Sequence, residues 1–302
     1  MGSCAVCSPD HRSNESPKGR LIPVAPRLLR LDAELVRRGL ARSRDQASDL
    51  IRDGRVKVSG AVAVKAATAV GTDAAIVVSG AADDPGFVSR GGHKLAGALA
   101  SFAEAGLRVR NRRVLDAGAS TGGFTDVVLR AGASEVVAVD VGYGQLAWSL
   151  RQDPRVVVHD RTNIRDITRD TIHGPVDVVV GDLSFISLVL VLDAVIGVVA
   201  SDGDLVLMVK PQFEVGKDRV GKGGVVRDLA LRVEAVSQVA RAADARGWGA
   251  VGVATSPLPG PSGNVEYFVW LRAGSAKVGE VEIRTEVERT RALGVPGERV
   301  ES

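Results

Sequence analysis

The stretch DAGASTGGFTD, residues 116–126, closes an apolar strand pattern and opens a helical one, and the spacing of its glycines decides what kind of domain surrounds it. A dinucleotide fingerprint reads G-x-G-x-x-G behind the first strand, whereas Gly118, Gly122 and Gly123 give G-x-x-x-G-G. A triphosphate loop ends in Gly-Lys-Ser/Thr, and Gly122-Gly123-Phe124 offers neither the cation nor the hydroxyl. Asp116 stands two residues ahead of Gly118, placing a carboxylate where a pyrophosphate would be repelled. A carboxylate suits a cation, and glycine lets the backbone approach a ligand without a Cβ collision. S-adenosylmethionine, which carries an ammonium and a sulfonium, fits these features best.

Outward from this turn, the apolar runs RVLDAG, EVVAVD, RVVVHD, VDVVVGD, DLVLMVK, GAVGVATS and VEYFVWL alternate with helical stretches. Such alternation specifies a doubly wound, mostly parallel α/β sheet of seven strands, Rossmann-like, with its ligand across the carboxyl ends of the strands. Asp140 ends the second strand at the separation where such domains place an acid on ribose hydroxyls. Asn163 follows the third strand and is a candidate for an adenine edge, and Asp182 follows the fourth. The cofactor-binding set read from the turn and these strand ends is Asp116, Gly118, Ser120, Thr121, Gly122, Gly123, Phe124, Asp140, Val141, Asn163 and Asp182. The apolar run LVLVLDAVIGVVA, residues 188–200, falls short of the roughly twenty residues a membrane span needs and contains Asp193, so it reads as a buried helix.

Ahead of this domain lies a cluster of basic residues. In SRDQASDLIRDG, Ser43 and Gln46 have capping-box spacing, Ala47, Leu50 and Ile51 form one apolar stripe, and Gly54 supplies a left-handed stop. RVKVSG and AAIVVSG follow as short strands, so two helices and then a small sheet are expected. The pattern RLDAELVRRGLARSRDQASDLIRDGRVKVSG resembles the small α+β RNA-binding module known as the α-L module. Arg30, Arg37, Arg38, Arg42, Arg44, Arg52, Arg55 and Lys57 are the expected RNA-binding residues, presenting donors to phosphate oxygens.

With 302 residues, 45% hydrophobic and 25% charged, the chain has room for one large and one small core. The formal charge is only +3, so affinity for an anionic partner rests on where the basic residues cluster. Cys4 and Cys7 are the only cysteines; no disulfide framework is available, and with His11 they fall short of the four ligands of a structural zinc site, so no metal is expected. The opening segment is polar, lacks an apolar signal core and reads as a disordered tail. The cysteine usage fits a cytoplasmic protein.

Four further residues ask for a joint explanation: Lys94 after the linker, Asp182, Lys210 ending LVLMVK, and Glu266 within GNVEYF. Together they resemble the Lys-Asp-Lys-Glu set of ribose 2′-O-methyltransferases related to FtsJ. More closely, VSRGGHKL, LDAGASTGGFTD, DVGYGQLAWSLR, DLSFISL, VKPQFEVG and PLPGPSGNVEYF are similar to the TlyA family of ribosomal RNA methyltransferases, over residues 30–271. The resemblance implies an S-adenosylmethionine-dependent methyltransferase of cytidine ribose 2′-hydroxyls in 16S or 23S rRNA, acting on ribosomal subunits, expected to be a monomer. The domains expected are a tail 1–26, an RNA-binding domain 27–79, a linker 80–92, a methyltransferase domain 93–273 and a helical or disordered tail 274–302. A ribose hydroxyl is a poor nucleophile, so its proton must be removed or shared; Lys210 is the candidate base, steered by Asp182 and Glu266 beside Lys94. The family also carries the name haemolysin A, but no long apolar or amphipathic segment supports a membrane-active toxin. A non-catalytic RNA-binding assembly factor is the other alternative, disfavoured because all four residues are present.

Overall fold

The computed structural model describes Met1 and residues 28–292, apart from 42, 53, 80–84 and 261. The expected tail over 1–26, with Cys4, Cys7 and His11, and the expected contact residue Arg42 lie outside the described residues. The chain divides into two compact units, one up to Ser79 and the other from Gly80.

The smaller unit contains β1 (Leu28–Arg30), α1 (Leu31–Arg37), α2 (Arg44–Arg52), β2 (Val56–Val58), β3 (Ala61–Val62), β4 (Ala69–Gly71) and β5 (Ile76–Val78). The Ser43 hydroxyl accepts from the Gln46 N–H at 3.1 Å to start α2, and Gly54, at φ +68°, turns the chain out of it. Leu31, Leu35, Ala47, Leu50, Ile51 and Val56 form a small core of their own. One element departs from the expected order of two helices followed by a sheet: β1 precedes α1 and pairs antiparallel with β4. Three residues are too few to show a period, and their partner lies some forty residues onward.

The larger unit begins with α3 (Arg90–Ala103), β6 (Arg113–Ala117), α4 (Gly123–Arg130), β7 (Glu135–Val139), α5 (Trp148–Arg151), β8 (Val156–His159) and β9 (Val176–Gly181). It continues with α6 (Leu192–Val198), β10 (Val199–Val209), α7 (Pro211–Glu214), α8 (Leu229–Asp244), β11 (Trp248–Thr255), β12 (Tyr267–Ala273) and α9 (Glu280–Ala292). The seven strands lie in the order β11-β12-β10-β9-β6-β7-β8. All neighbouring pairs are parallel except that β12 runs antiparallel to both β10 and β11. Helices cover both faces. Leu115, Val137, Val179 and Leu205 pack with Val195, Val236 and Val287 of α6, α8 and α9, while Val114, Val136, Val178 and Val206 pack with Leu95, Phe102 and Val127 of α3 and α4. Burial on both faces is why these strands read as nearly unbroken Val/Leu runs.

The apolar run 188–200 is not one helix. It makes a 3₁₀ turn at Leu188–Leu190, then α6, and from Val199 it is strand. Periodicity alone does not separate a buried helix from a buried strand in so short a run. The stretch read as linker also turns to structure before its end: α3 starts at Arg90, and Phe87 and Val88 already pack on the core beneath it. Past β12, α9 lays the buried residues Ile283 and Val287 on the core, and the Glu286 carboxylate accepts the backbone N–H and hydroxyl of Thr255 at 2.9 and 2.8 Å.

Candidate functional site

From β6 the chain runs outward to β7 and β8, then returns to β9 on the other side of β6. The carboxyl ends of β6 and β9 therefore flank a crevice at the point where the winding reverses, the place where open α/β sheets hold ligands. Gly118 turns at φ +83° there, and a Cβ on it would stand 2.9 Å from the Asp182 carbonyl oxygen, so only glycine lets the two loops meet this closely. The turn ends at the start of α4, where a Cβ on Gly123 would meet the Ser89 hydroxyl and stand 2.8 Å from the Gly92 nitrogen. The N-terminal ends of α3 and α4 touch through these glycines.

A cavity of about 430 Å³ opens beside the turn. Of the expected cofactor residues, Gly118, Ser120, Asp140, Val141, Asn163 and Asp182 line it. Asp140 is fixed by the backbone, Oδ2 accepting from the Ser120 N–H at 2.8 Å and Oδ1 from the Gly142 N–H at 2.6 Å. Two of about four acceptor positions on the carboxylate remain for a ligand. Asn163 spends its side-chain oxygen on the Arg165 N–H, capping a 3₁₀ turn, which leaves its amide N–H₂.

Asp116, Thr121, Gly122, Gly123 and Phe124 do not line the cavity. The last four build and brace the turn: Phe124, for example, lies 6.0 Å from Phe268 in the core. Asp116 departs most from the expected direct contact with a cation, because it is wholly buried. Its Oδ2 accepts the Thr125 hydroxyl at 2.6 Å and its Oδ1 has no partner. Burial pushes this carboxyl up to about 7, against the Thr125 hydrogen bonds and with the help of the nearby Asp182 and Asp140 charges. The adjacency of Asp116 to the glycines is plain in the sequence, but its depth beneath them is a property of the packed sheet.

The four candidate catalytic residues converge at the same carboxyl edge. The β10–β12 register pairs Val209 with Tyr267, and one step further sets Lys210 opposite Glu266. Lys210 Nζ lies 2.6 Å from Asp182 Oδ1 and donates to Ser184 Oγ at 2.7 Å. Lys94 Nζ, from α3, donates to Glu266 Oε2 at 2.5 Å. Lys94, Lys210 and Glu266 are all buried. The set thus forms two ion pairs, and Glu266 steers Lys94 rather than Lys210. Ser184 went unread in the sequence; its signal was position alone, two residues beyond Asp182 at a strand end.

In the smaller unit, the expected RNA-contact residues are arranged around two buried acids. Asp32 pairs with Arg30 and Arg44, and Glu34 with Arg37 and Arg38. The two guanidiniums on each hold both carboxyls well below the usual range, against the opposing effect of burial. Arg52 pairs with Asp49, Arg55 donates to the Ser79 carbonyl, and Lys57 is exposed. Arg38 departs from its expected role: its donors go to Glu34 and to the carbonyls of Ala74, Gly71 and Thr72, so it ties α1 to the β4–β5 turn.

Among the described residues no helix is long and apolar enough to cross a membrane. Residues 87–273 match the FtsJ-like methyltransferase family, and residues 29–76 match the S4 domain family. The chain is 62% identical over 246 residues to the 16S/23S rRNA (cytidine-2′-O)-methyltransferase TlyA of Mycobacterium tuberculosis strain H37Rv, spanning 82% of this chain and 90% of that protein. It is 38% identical over 242 residues to a protein of Brachyspira hyodysenteriae named Hemolysin A, spanning 80% and 98% of the two chains. A solved structure of a candidate hemolysin from Streptococcus thermophilus superposes with a TM-score of 0.70 at 35% identity, covering 89% of this chain and 97% of that one.

Proposed function

The chain belongs to the TlyA family, a small S4 domain joined to an FtsJ-like methyltransferase, and from that membership we propose that it methylates cytidine ribose 2′-hydroxyls of ribosomal RNA, within ribosomal subunits and in the cytoplasm. The observation that carries this reading is the two ion pairs, Lys210–Asp182 and the buried Lys94–Glu266, at the carboxyl edge beside the cavity. The donor set fits S-adenosylmethionine: Asp140 for ribose hydroxyls, the Asn163 amide for the adenine edge, and the Gly118–Ser120 turn for the methionine part. When bound, this cofactor supplies an electrophilic methyl group. Asp116 acts from beneath, shaping the turn rather than touching the ligand.

The chain's own residues then have to hold a ribose hydroxyl and take its proton. At Lys210 Nζ, Ser184 Oγ is within hydrogen-bond reach at 2.7 Å and Asp182 Oδ1 lies 2.6 Å away as the ion-pair partner. To act as base, Lys210 must present the lone pair of its neutral amine to the ribose hydroxyl. Nζ would then take the hydroxyl proton as the ribose oxygen takes the methyl group, and Asp182 and Ser184 would hold the ammonium that results. Lys94, neutralised by Glu266, keeps a second positive group near the edge without repelling the first. General-base assistance of this kind is worth about 10² to 10⁴ in rate, with positioning supplying much of the rest.

Purified protein incubated with a labelled methyl donor and separated ribosomal subunits tests the proposal, with the modified riboses mapped afterwards. Blocked 2′-hydroxyls on cytidines are the expected product. Label confined to base carbons, or to protein, overturns the reaction.

A further inference from the structure

The loop after β9 and the loop after β10 carry Asp182, Ser184 and Lys210, and they are tied together twice. One tie is the Lys210 contact with Asp182 and Ser184. The other is Glu214, the last residue of α7, whose Oε2 accepts the Ser187 hydroxyl at 2.5 Å and whose Oε1 accepts the Leu188 N–H at 2.8 Å. Between the ties the Phe185 and Phe213 rings lie 5.3 Å apart. Phe185 stands at φ +65°, a conformation that a bulky residue keeps only where its surroundings fix it. Leu183, Ser184, Phe185 and Ile186 form one wall of the cavity.

Glu214 is 7% exposed, and both its partners are neutral. Burying a carboxylate between neutral donors opposes stability relative to an apolar side chain of the same size. Its placement is therefore explained better by what it orients than by what it stabilises. We propose that Glu214 is a positioning residue for methyl transfer: by gripping Ser187 and Leu188 it fixes the segment 183–188, so that Ser184 meets Lys210 Nζ beside Asp182. This rests on the methyltransferase reading above and on Lys210 as proton acceptor.

Glu214→Gln keeps the size and the Leu188 tie but places a donor nitrogen against the Ser187 hydroxyl, so that tie must reverse direction and loses its charge assistance. In the full chain, with separated ribosomal subunits and labelled donor, kcat falls by about 10- to 100-fold while KM for the subunits stays at the wild-type value. Because Glu214 acts through Ser184, the double variant Glu214→Gln/Ser184→Ala loses no more than the worse single variant. Wild-type kcat in Glu214→Gln, a loss confined to KM, or losses that add in the double variant overturn the proposal. Should Glu214→Gln not fold, Ser187→Ala decides it, since that variant removes the hydroxyl that donates to Glu214 and caps the Val189 N–H while leaving the Leu188 tie: a lowered kcat supports the role and wild-type kcat overturns it. A wild-type chain that transfers no methyl group to either subunit sinks the proposed function and this inference with it.

Discussion

Lys210, Glu266 and Asp116 are buried to similar degrees, yet they answer to different measurements. On the mechanism proposed above Lys210 acts on the substrate, so Lys210→Ala lowers methyl transfer by about 10² to 10⁴ and leaves cofactor affinity nearly unchanged, because Lys210 is not among the residues lining the cavity. Titration calorimetry beside a radiolabel assay separates the two, and retained activity removes Lys210 from the mechanism. Glu266 neutralises Lys94 where both are less than 10% exposed. Glu266→Ala strands that ammonium and destabilises the fold by about 3–5 kcal/mol in urea unfolding; a change below about 1 kcal/mol would show that Lys94 finds water or another partner. Asp116 carries a pH signature. Its folded pKa is raised to about 7, so between about pH 4 and 7 the folded chain keeps a proton that the unfolded chain has released. Stability therefore falls as pH rises through that window and levels off above it. Asp116→Asn removes the titration, and the unfolding free energy of the variant loses about 2 kcal/mol less than the wild type does between pH 5 and 7. Parallel pH profiles for the two proteins count against the raised value.

At the level of elements, the meeting of α3 with α4 links the cofactor turn to the catalytic edge. Ala at Gly123 drives a methyl group into Ser89 and the Gly92 backbone, and because backbone gives way poorly the cost is about 1–3 kcal/mol of overpacking. The displaced helix is the one that carries Lys94, so Gly123→Ala lowers kcat together with the melting temperature. A variant that melts early but turns over normally below its transition would show that α3 holds its place independently of α4. The same elements show what a sequence discloses. The inner strands of the large sheet stand out because burial on both faces makes them nearly continuous apolar runs, and the strand ends therefore locate Asp140, Asp182, Lys210 and Glu266. The segment 188–200 misleads because an apolar run bears no mark of where helix gives way to strand. β1 escapes notice because its pairing with β4 is non-local. Partner choice is equally hidden: nothing local tells that Glu266 takes Lys94, or that Asp116 lies under the turn, since both depend on side-chain depth across helices and strands distant in the chain.

In the whole molecule, the proposed function assigns affinity to the smaller unit and chemistry to the larger, and the smaller unit's charge pattern says which arginines would carry that affinity. Asp32 and Glu34 each hold two arginines, so removing one of a pair leaves the acid neutralised by the other. Arg37 and Arg44 have side chains more than half exposed, whereas Arg38 is 22% exposed with its donors directed inward. Binding to phosphates releases counterions, and each arginine–phosphate pairing that is removed lowers the slope of log K against log salt by about 1. Arg37→Ala/Arg44→Ala should therefore keep a folded small unit, reduce the salt slope of ribosomal-subunit binding by about 2, and raise KM with kcat unchanged. Arg38→Ala should do the reverse, lowering the melting temperature by uncoupling α1 from the β4–β5 turn while leaving the salt slope of the surviving folded protein as it was. Filter binding across a salt series, read beside calorimetric melting, distinguishes these outcomes. An unchanged slope in the double variant would move the RNA-binding face away from α1 and α2, and a lowered slope in Arg38→Ala would return that arginine to the RNA.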